Sequence, residues 1–225
     1  MADLTQDQIH EIIKCRDDIV YFANTYMCLQ TPLSSEQSEI LLKLHNDEFV
    51  AEVLPRRFGK TFLMSINILH YVMFDEHKTV AIKSARYSMT TDWMHTIVTL
   101  FRKIPDYMKS ALNINTVKLN KSLIDFENGC RIIVVSGIDS LRGSTINYVV
   151  ADEAGIIPDS LIYLVESCFP VMRPDKNSKF ATLTTDPIPS NIAVKLLLGD
   201  KNNIGWAHIA GWSHEQIAEW ILING

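Results

Sequence analysis

One stretch of the sequence combines glycine, lysine and threonine in a spacing that suits phosphate binding. Gly59-Lys60-Thr61 follows the apolar run 49–54 and precedes an apolar helical pattern over 62–74. The N–H groups at such a helix start carry positive partial charge, and a glycine lets the backbone approach a phosphate closely. In this arrangement Lys60 can reach the β- and γ-phosphate oxygens, and Thr61 can hold Mg²⁺.

The match to the standard phosphate-binding motif is partial. That motif has a glycine at the position that Leu54 occupies in this sequence. A helix N-terminus with ordinary capping is therefore the alternative interpretation of this stretch when it is taken alone. A second motif is needed to choose between the two interpretations.

That second motif places two carboxylates at the end of a buried strand. Residues 146–153 form an apolar run that ends in Asp152-Glu153, and such a run suits the centre of a parallel sheet covered on both faces. Ligands of these sheets bind beyond the carboxyl ends of the strands. In a nucleotide-hydrolysing site the first acid would coordinate Mg²⁺ and the second would polarise the attacking water. A solvated acidic turn is the alternative, and the Gly-Lys-Thr loop upstream makes it the minor one.

The composition is that of an ordinary globular protein. Of 225 residues, 47% are hydrophobic and 21% are charged. No apolar run reaches membrane-spanning length and the N-terminus lacks signal-peptide features, so we expect a cytosolic protein without a membrane partner. The net charge of −5 argues mildly against a free-standing nucleic-acid binder. The cysteines are scattered and predict reduced thiols rather than disulfides or zinc ligands: Cys15, Cys28, Cys130 and Cys168.

Helical and strand patterns alternate along the chain and predict an α/β fold with a doubly wound, mostly parallel sheet. The predicted helices cover 6–27, 36–46, 62–74, 89–104, 160–169, 192–198 and 215–223; the predicted strands cover 49–54, 79–84, 123–126, 130–136, 146–153 and 180–184. Thr5 opens the first helix with a capping box, and Ser34 or Ser35 caps the second. Pro105 is expected to stop the fourth. Glu127-Asn128-Gly129 predicts a hairpin and hence an antiparallel portion of the sheet.

Five stretches, in order along the chain, match the motifs of a known family. They are residues 15–26, the segment Thr31 to Leu41, the loop 54–61, Ser140-Leu141-Arg142-Gly143, and Thr182-Leu183-Thr184-Thr185. They resemble the N-terminal helix, adenine-recognising Q motif, phosphate loop, arginine-glycine pair and coupling motif of the ATPase domain of the tailed-phage terminase large subunit. The missing first glycine, which weakens the generic motif, is similar to this family's own variant.

The resemblance implies a P-loop NTPase fold of the ASCE/RecA-like kind with a small C-terminal lid subdomain. We expect N-terminal helices with the Q motif over 1–48, an ATPase core over 49–187, and a lid or linker subdomain over 188–225. Terminases of this kind usually carry a second, RNase H-like nuclease domain. We expect that domain to be absent here, whether deleted or encoded separately, and therefore expect no nuclease activity from this chain.

The resemblance also implies a nucleotide and metal site. Its expected ATP-binding residues are Gln37, Arg56, Arg57, Phe58, Gly59, Lys60 and Thr61. Within this set Gln37 corresponds to the adenine reader and Lys60 to the phosphate ligand. Thr61 and Asp152 correspond to the Mg²⁺ ligands.

Catalytic and coupling roles follow from the same resemblance. Glu153 corresponds to the catalytic acid. Arg56, within its own subunit, and Arg142, from a neighbouring subunit, are the expected arginines that stabilise charge on the transferring phosphoryl group. A solvated loop arginine is the alternative for Arg142. The coupling residue is Thr184 or Thr185.

The implied function is an ATP-driven motor that translocates double-stranded DNA into a viral procapsid. The implied partners are duplex DNA, the portal protein, the small terminase subunit and a nuclease domain. The active form is expected to be a homo-oligomeric ring in the host cytoplasm, transiently docked on the procapsid. Two alternatives stay open: a helicase-like nucleic-acid-remodelling ATPase, and a nucleotide-binding assembly module with little hydrolysis.

Overall fold

A computed structural model of the chain describes residues 4–28, 31–47, 49–84, 87–135, 146–152 and 179–185. Its α-helices are α1 (Gln6–Asp17), α2 (Ile19–Phe22), α3 (Ser35–Asn46), α4 (Lys60–Phe74), α5 (Tyr87–Phe101) and α6 (Asp106–Ala111), and a π-helix (Ala23–Met27) follows α2. Its strands are β1 (Phe49–Val53), β2 (Thr79–Ser84), β3 (Thr116–Leu119), β4 (Leu123–Phe126), β5 (Arg131–Val134), β6 (Tyr148–Asp152) and β7 (Lys179–Thr184).

The strands of the described residues form one sheet in the order β1-β7-β6-β2-β5-β4-β3. From β1 to β5 the neighbours are parallel, and β4 and β3 continue the sheet in antiparallel pairing. β7 separates β1 from β6, with Thr182 in register with Ala51 on one side and Ala151 on the other. The predicted α/β fold, with a mostly parallel sheet and an antiparallel portion, is confirmed.

The centre of the sheet is covered on both faces. Every residue of β6 is buried, and because successive side chains of a strand point to opposite faces, this requires material on each side. On one face Tyr148, Val150 and Leu183 belong to the main hydrophobic core, together with the buried sides of α3, α4 and α5. This burial agrees with the doubly wound sheet predicted from the apolar run.

The predicted helix over 6–27 is wrong in one respect, because it is broken at Asp18. Asp18 is extended (φ −134°), and its carboxylate accepts the Tyr21 N–H at 2.8 Å, which caps α2. Aspartate is a weak helix former in the interior and a strong N-cap, so the chain ends one helix and starts another there. The Thr5 capping box is confirmed: its hydroxyl accepts the Gln8 N–H at 3.2 Å, and Gln8 Oε1 accepts the Thr5 N–H at 2.9 Å.

Between α5 and β4 the chain differs from the prediction in three ways. α5 ends at Phe101, and the Lys103 and Ile104 N–H groups bond to carbonyls three residues back, which tightens the chain before Pro105. Pro105 then opens α6, which was not predicted. β3 was also not predicted; its short Thr-Val-Lys-Leu sequence alternates, but all four residues are exposed in the structure.

Other predicted elements agree with the structure or fall outside it. The strand predictions 79–84 and 123–126 are confirmed at both ends. The helices predicted at 160–169, 192–198 and 215–223, and with them the proposed lid subdomain, lie outside the described residues. Within the described ranges, no helix is both long and apolar enough to cross a membrane.

The predicted hairpin turn between β4 and β5 is confirmed, and it also closes the end of α4. Asn128 Nδ2 donates to the carbonyl oxygens of Val72 at 2.8 Å and Asp75 at 3.0 Å. Gly129 has φ +79°, and a Cβ there would lie 2.2 Å from His77 Nδ1. Glycine is therefore required at that position by conformation and by space. The turn supplies donors to carbonyls that a helix end leaves unpaired.

A buried histidine joins α4 to the N-terminal helices. His70 is 3% exposed, and its Nε2 lies 2.9 Å from the carbonyl oxygen of Cys15. Its ring packs edge-on against Phe22 and His45, and it contacts Phe74 at 4.8 Å between ring centroids. Removal from water disfavours the imidazolium, and the pKa of His70 is lowered to about 4. Burial likewise lowers the pKa of His45, with Lys179 as the next cause.

We expect His70 to make the fold sensitive to mild acid. A histidine whose folded pKa is depressed stabilises the fold above its unfolded value near 6.5, and that stability is lost as the pH falls towards 4. The loss attributable to His70 across this window should be about 3 kcal/mol. The difference between the parent and a His70 variant in denaturant unfolding at several pH values measures it.

His70→Gln should lower stability at pH 7 and flatten the pH dependence, since the titrating group is gone. His10→Gln, at an exposed position, is the matched control and should leave the slope unchanged. An unchanged slope in His70→Gln would contradict the assignment of this pH dependence to His70.

Candidate functional site

The phosphate loop is a tight turn between β1 and α4. The Phe58 N–H donates to the Pro55 carbonyl at 3.3 Å, and both Arg57 (φ 65°) and Gly59 (φ 95°) have left-handed backbone. Gly59 is the N-cap residue of α4 and brings no capping side chain. A ligand phosphate would therefore find N–H donors and the positive end of the helix dipole at this point.

Gln37 holds the loop from the N-terminal side. It is the third residue of α3, where its Oε1 accepts the Ser34 N–H at 3.1 Å and the Ser34 hydroxyl accepts the Gln37 N–H at 3.2 Å. Its Nε2 donates to the Phe58 carbonyl at 2.8 Å, and a Cβ added at Gly59 would lie 3.3 Å from the same nitrogen. The side chain thus positions the phosphate loop; the predicted contact with adenine stays a prediction.

Lys60 ties the phosphate loop to the end of β7. Its side chain is largely buried, with the residue 8% exposed. Lys60 Nζ donates to Thr185 Oγ1 at 2.8 Å and lies 3.4 Å and 3.5 Å from the carbonyl oxygens of Pro55 and Leu54. The Leu54 N–H donates to the Thr184 carbonyl at 2.8 Å. A buried ammonium requires such oxygen partners, and phosphate oxygens are partners of the same kind.

The predicted metal ligand Asp152 lies across β7 from the phosphate loop. Asp152 is the last residue of β6, is 3% exposed, and is in register with Leu183 of β7 and Ser84 of β2. Adjacent strands are about 4.8 Å apart, so β1 and β6 are about 10 Å apart with β7 between them. The Lys60 ammonium and the Asp152 carboxylate therefore flank the carboxyl end of one strand, where ligands of parallel sheets bind.

The residues expected to hold Mg²⁺ fit that ion. Thr61 lies in the first turn of α4, and its hydroxyl and the Asp152 carboxylate are the hard oxygen ligands that Mg²⁺ prefers. In the described part of the chain, no cluster of three or more His, Cys, Asp or Glu side chains forms a complete metal site. In nucleotide sites Mg²⁺ is usually bound by one or two protein ligands together with substrate phosphates.

The loop itself carries two further cations and a half-buried aromatic ring, and a lysine lies on a nearby strand. Arg56 and Arg57 are exposed, and Phe58 packs against the main core. On β2, Lys83 is in register with Ala151, one residue before Asp152, and burial lowers the pKa of Lys83. The described edge of the sheet is thus rich in positive charge, which suits a polyphosphate ligand.

The structure brings some predicted site residues together and leaves others outside. Gln37, the phosphate loop, Lys60 and Thr185 are joined by direct contacts. Asp152 stands across β7 from them. Glu153 and Arg142 lie outside the described residues, so their predicted roles stay predictions.

One residue at this site was not singled out from the sequence. Trp93 of α5 donates its Nε1–H to Asp152 Oδ2 at 2.8 Å. In the sequence it stands within an amphipathic helical pattern, which predicts only a core position. The sequence could have predicted that a buried Trp93 needs an acceptor for its indole N–H, but it does not identify that acceptor.

Solved structures share this fold. The ATPase domain of the large terminase of Thermus phage P74-26 matches with a TM-score of 0.56 at 16% identity, covering 74% of this chain and 72% of that one. The large terminase of bacteriophage HK97 matches with a TM-score of 0.61 at 11% identity, covering 92% of this chain and 51% of that one. This chain thus spans about half the length of the HK97 protein.

A helicase shares the fold as well. The UvsW helicase from bacteriophage T4 matches with a TM-score of 0.54 at 11% identity, covering 82% of this chain and 64% of that one. At such identities these likenesses establish the architecture, which is that of P-loop ATPase domains, and leave the activity to other observations.

A family model distinguishes this chain among proteins of that architecture. The model described as terminase large subunit, T4-like virus type, N-terminal, matches residues 53–190. The match includes the phosphate loop, the acidic strand and the coupling threonines, and it covers more than half of the 225 residues. The chain therefore belongs to the terminase large subunit family, of which it carries the N-terminal, T4-like virus type of domain.

Proposed function

We propose that this chain hydrolyses ATP and is the motor of viral genome packaging, moving double-stranded DNA into a procapsid. The observation that carries the proposal is the position of Lys60 and Asp152 on either side of the carboxyl end of β7. Membership of the terminase large subunit family supports the assignment of this site to packaging.

Binding of the nucleotide would fall to the loop and the start of α4. The N–H groups of the first helical turn and the Lys60 ammonium would bind the β- and γ-phosphates. Thr61 and Asp152 would hold Mg²⁺, which when bound neutralises charge on those phosphates. Gln37 would keep the loop in its binding conformation through its 2.8 Å bond to the Phe58 carbonyl.

Hydrolysis would use residues that follow the described part of β6. Glu153, next to Asp152, would accept the proton of the attacking water and orient it towards the γ-phosphorus. Arg56, on the loop, would stabilise the developing charge within its own subunit. Arg142 would do so across a subunit boundary, since planar guanidinium groups match phosphoryl oxygens well.

Coupling of hydrolysis to movement would begin at Thr185. The Lys60 ammonium donates to Thr185 Oγ1 at 2.8 Å, and a γ-phosphate would compete for the same cation. Its arrival or departure would therefore change the bond that holds the end of β7. Thr184 also contacts the loop, since its backbone carbonyl accepts the Leu54 N–H.

The proposed setting is the host cytoplasm, with transient docking on the procapsid. Its partners would be duplex DNA, the portal protein, the small terminase subunit and a nuclease domain, with a homo-oligomeric ring as the active form. Because the UvsW helicase has a similar fold, helicase activity is the alternative function to test. ATP-driven separation of the strands of a labelled duplex would favour that helicase alternative over translocation.

The proposal predicts different defects for two substitutions in the ATP site. Glu153→Gln should keep nucleotide binding and abolish turnover, because an amide cannot accept the water proton. Lys60→Ala should weaken nucleotide binding itself, because it removes the cation on the phosphates. Calorimetry and phosphate release, measured with and without duplex DNA, separate the two effects. Hydrolysis by Glu153→Gln near the parent rate, or unchanged affinity in Lys60→Ala, would count against the proposed site.

The coupling role predicts that the Thr185 hydroxyl is needed for stimulation by DNA. Thr185→Val keeps the shape of the side chain and removes the acceptor of Lys60, so duplex DNA should no longer raise the ATPase rate. Thr185→Ser retains the hydroxyl and is the matched control, with stimulation near that of the parent. Full stimulation of Thr185→Val would exclude this residue as the point of coupling.

The trans role of Arg142 predicts complementation between two defective subunits. Arg142→Ala should bind ATP normally and turn over poorly, since an arginine finger is worth about 10³–10⁵ in rate. Mixed with Glu153→Gln under conditions that allow assembly, it should regain activity, because one subunit keeps the acid and its neighbour supplies the arginine. Arg56→Ala, whose arginine acts in its own subunit, is the control that mixing should not rescue. Assembled mixtures without recovered activity would refute the trans role.

A further inference from the structure

A buried hydrogen bond joins α5 to the metal-side acid of the site. Trp93 Nε1 donates to Asp152 Oδ2 at 2.8 Å. The tryptophan is 1% exposed and the aspartate 3% exposed. The indole has one polar hydrogen and no acceptor, so this bond uses its whole hydrogen-bonding capacity. A contact of this kind in a buried setting is directional and is not replaced by water.

The position of the indole is fixed by packing. Trp93 lies on the buried side of α5 together with Met94, Ile97 and Leu100, and all four belong to the main hydrophobic core. Side chains at this spacing share one face of a helix. The donor is therefore held by a rigid apolar surface, independently of the carboxylate that it contacts.

The consequence of the bond falls on the Asp152 carboxylate. An N–H on Oδ2 restricts rotation of the carboxylate plane and so sets the direction in which the other oxygen points. Hydrogen bonds to ionised acceptors are stronger than those to neutral ones, so the contact favours one orientation of the charged group. Residues that hydrogen-bond to a metal-binding carboxylate orient it, and their removal typically lowers the affinity for the metal.

We propose that Trp93 is a positioning residue of the ATP site, which holds the Asp152 carboxylate in the orientation that binds the Mg²⁺ of the nucleotide complex. The inference rests on the proposed function, because it needs Asp152 to be a metal ligand. In this role Trp93 would contact Asp152 and would not bind the nucleotide or the metal directly. It acts through Asp152 alone.

The test is the Mg²⁺ dependence of ADP binding by the full chain, measured by calorimetry, which requires no turnover. Trp93→Phe keeps an aromatic ring in the core and removes the N–H. ADP affinity in the presence of EDTA should stay near that of the parent, whereas the gain in affinity on adding Mg²⁺ should shrink. The Mg²⁺ concentration for half-maximal effect should rise about 10- to 100-fold.

Two controls separate positioning from packing. Met94→Leu changes a neighbouring buried side chain on α5 without touching a polar group and should leave the Mg²⁺ effect intact. Asp152→Asn should lose the Mg²⁺ effect, and adding Trp93→Phe to it should cost nothing more, because the two residues act as one unit. If Trp93→Phe is poorly folded, a benzothienyl analogue at position 93 replaces the N–H by sulfur and preserves the shape.

A spectroscopic signal gives a second readout. The chain contains 4 tryptophans, so fluorotryptophan labelling gives several ¹⁹F resonances. The resonance of position 93 is the one that disappears in Trp93→Phe. It should shift when Mg²⁺ is added to the ADP complex, because the acceptor of its N–H then binds a cation. ADP alone should cause a smaller shift.

The outcomes distinguish this inference from the function on which it rests. A parent chain whose ADP affinity ignores Mg²⁺ would overturn the assignment of the metal site, and the role of Trp93 with it. A parent that responds to Mg²⁺ and a Trp93→Phe variant that responds equally would leave the metal site standing and overturn the positioning role alone. Equal weakening with and without Mg²⁺ would show a packing effect and would also overturn it.

Discussion

The hydrogen bond from the Lys60 ammonium to the Thr185 hydroxyl connects the two parts of the chain on which the site depends. A lysine residue that is 8% exposed is unfavourable in an apolar interior unless oxygens surround its ammonium group. Here the end of β7 and the carbonyls that precede the phosphate loop supply those oxygens. The parallel pairing of β1 and β7 keeps donor and acceptor at the same edge of the sheet.

The N-terminal helices extend this arrangement beyond the sheet. α3 begins with a Ser34 capping box whose glutamine also reaches the phosphate loop through Phe58. Towards the other end of α4, His70 meets the carbonyl of Cys15 and packs against His45 of α3. The phosphate loop and the helix that follows it are thus contacted at two points by residues far earlier in the chain. Order at the loop therefore depends on tertiary packing as well as on its own turn.

Local physical chemistry explains which features the sequence predicts. The Thr5 capping box, the cap of the second helix by Ser34 or Ser35, the apolar strand that ends in Asp152, and the Glu127-Asn128-Gly129 turn all depend on residues within a few positions of each other. The break at Asp18 was missed because apolar periodicity continues through it, whereas the carboxylate prefers to cap. β3 was missed because it is four residues long and exposed, and it pairs with β4 at the end of the described strand order.

The sequence likewise predicts some features of the candidate site and not others. The loop motif gives the residue types that can bind a phosphate, and the resemblance to a family gives their roles. Neither gives the contacts of Lys60 with Thr185 or of Trp93 with Asp152, which join residues 125 and 59 positions apart. Such pairs depend on the strand order, in which β7 enters between β1 and β6 although it comes last among the described strands. Sequence spacing carries no information on that insertion.

α4 has different neighbours at its two ends, and its length gives this a mechanical meaning. Its first residue is Lys60, and the carbonyls near its last turn accept hydrogen bonds from Asn128 in the turn between β4 and β5. Fifteen residues of α-helix are about 22 Å long. A tilt of about 5° pivoting at the phosphate end would therefore displace the far end by about 2 Å. Because one continuous helix joins the two ends, a change in its tilt at the phosphate loop would displace the carbonyls that Asn128 binds in the turn between β4 and β5.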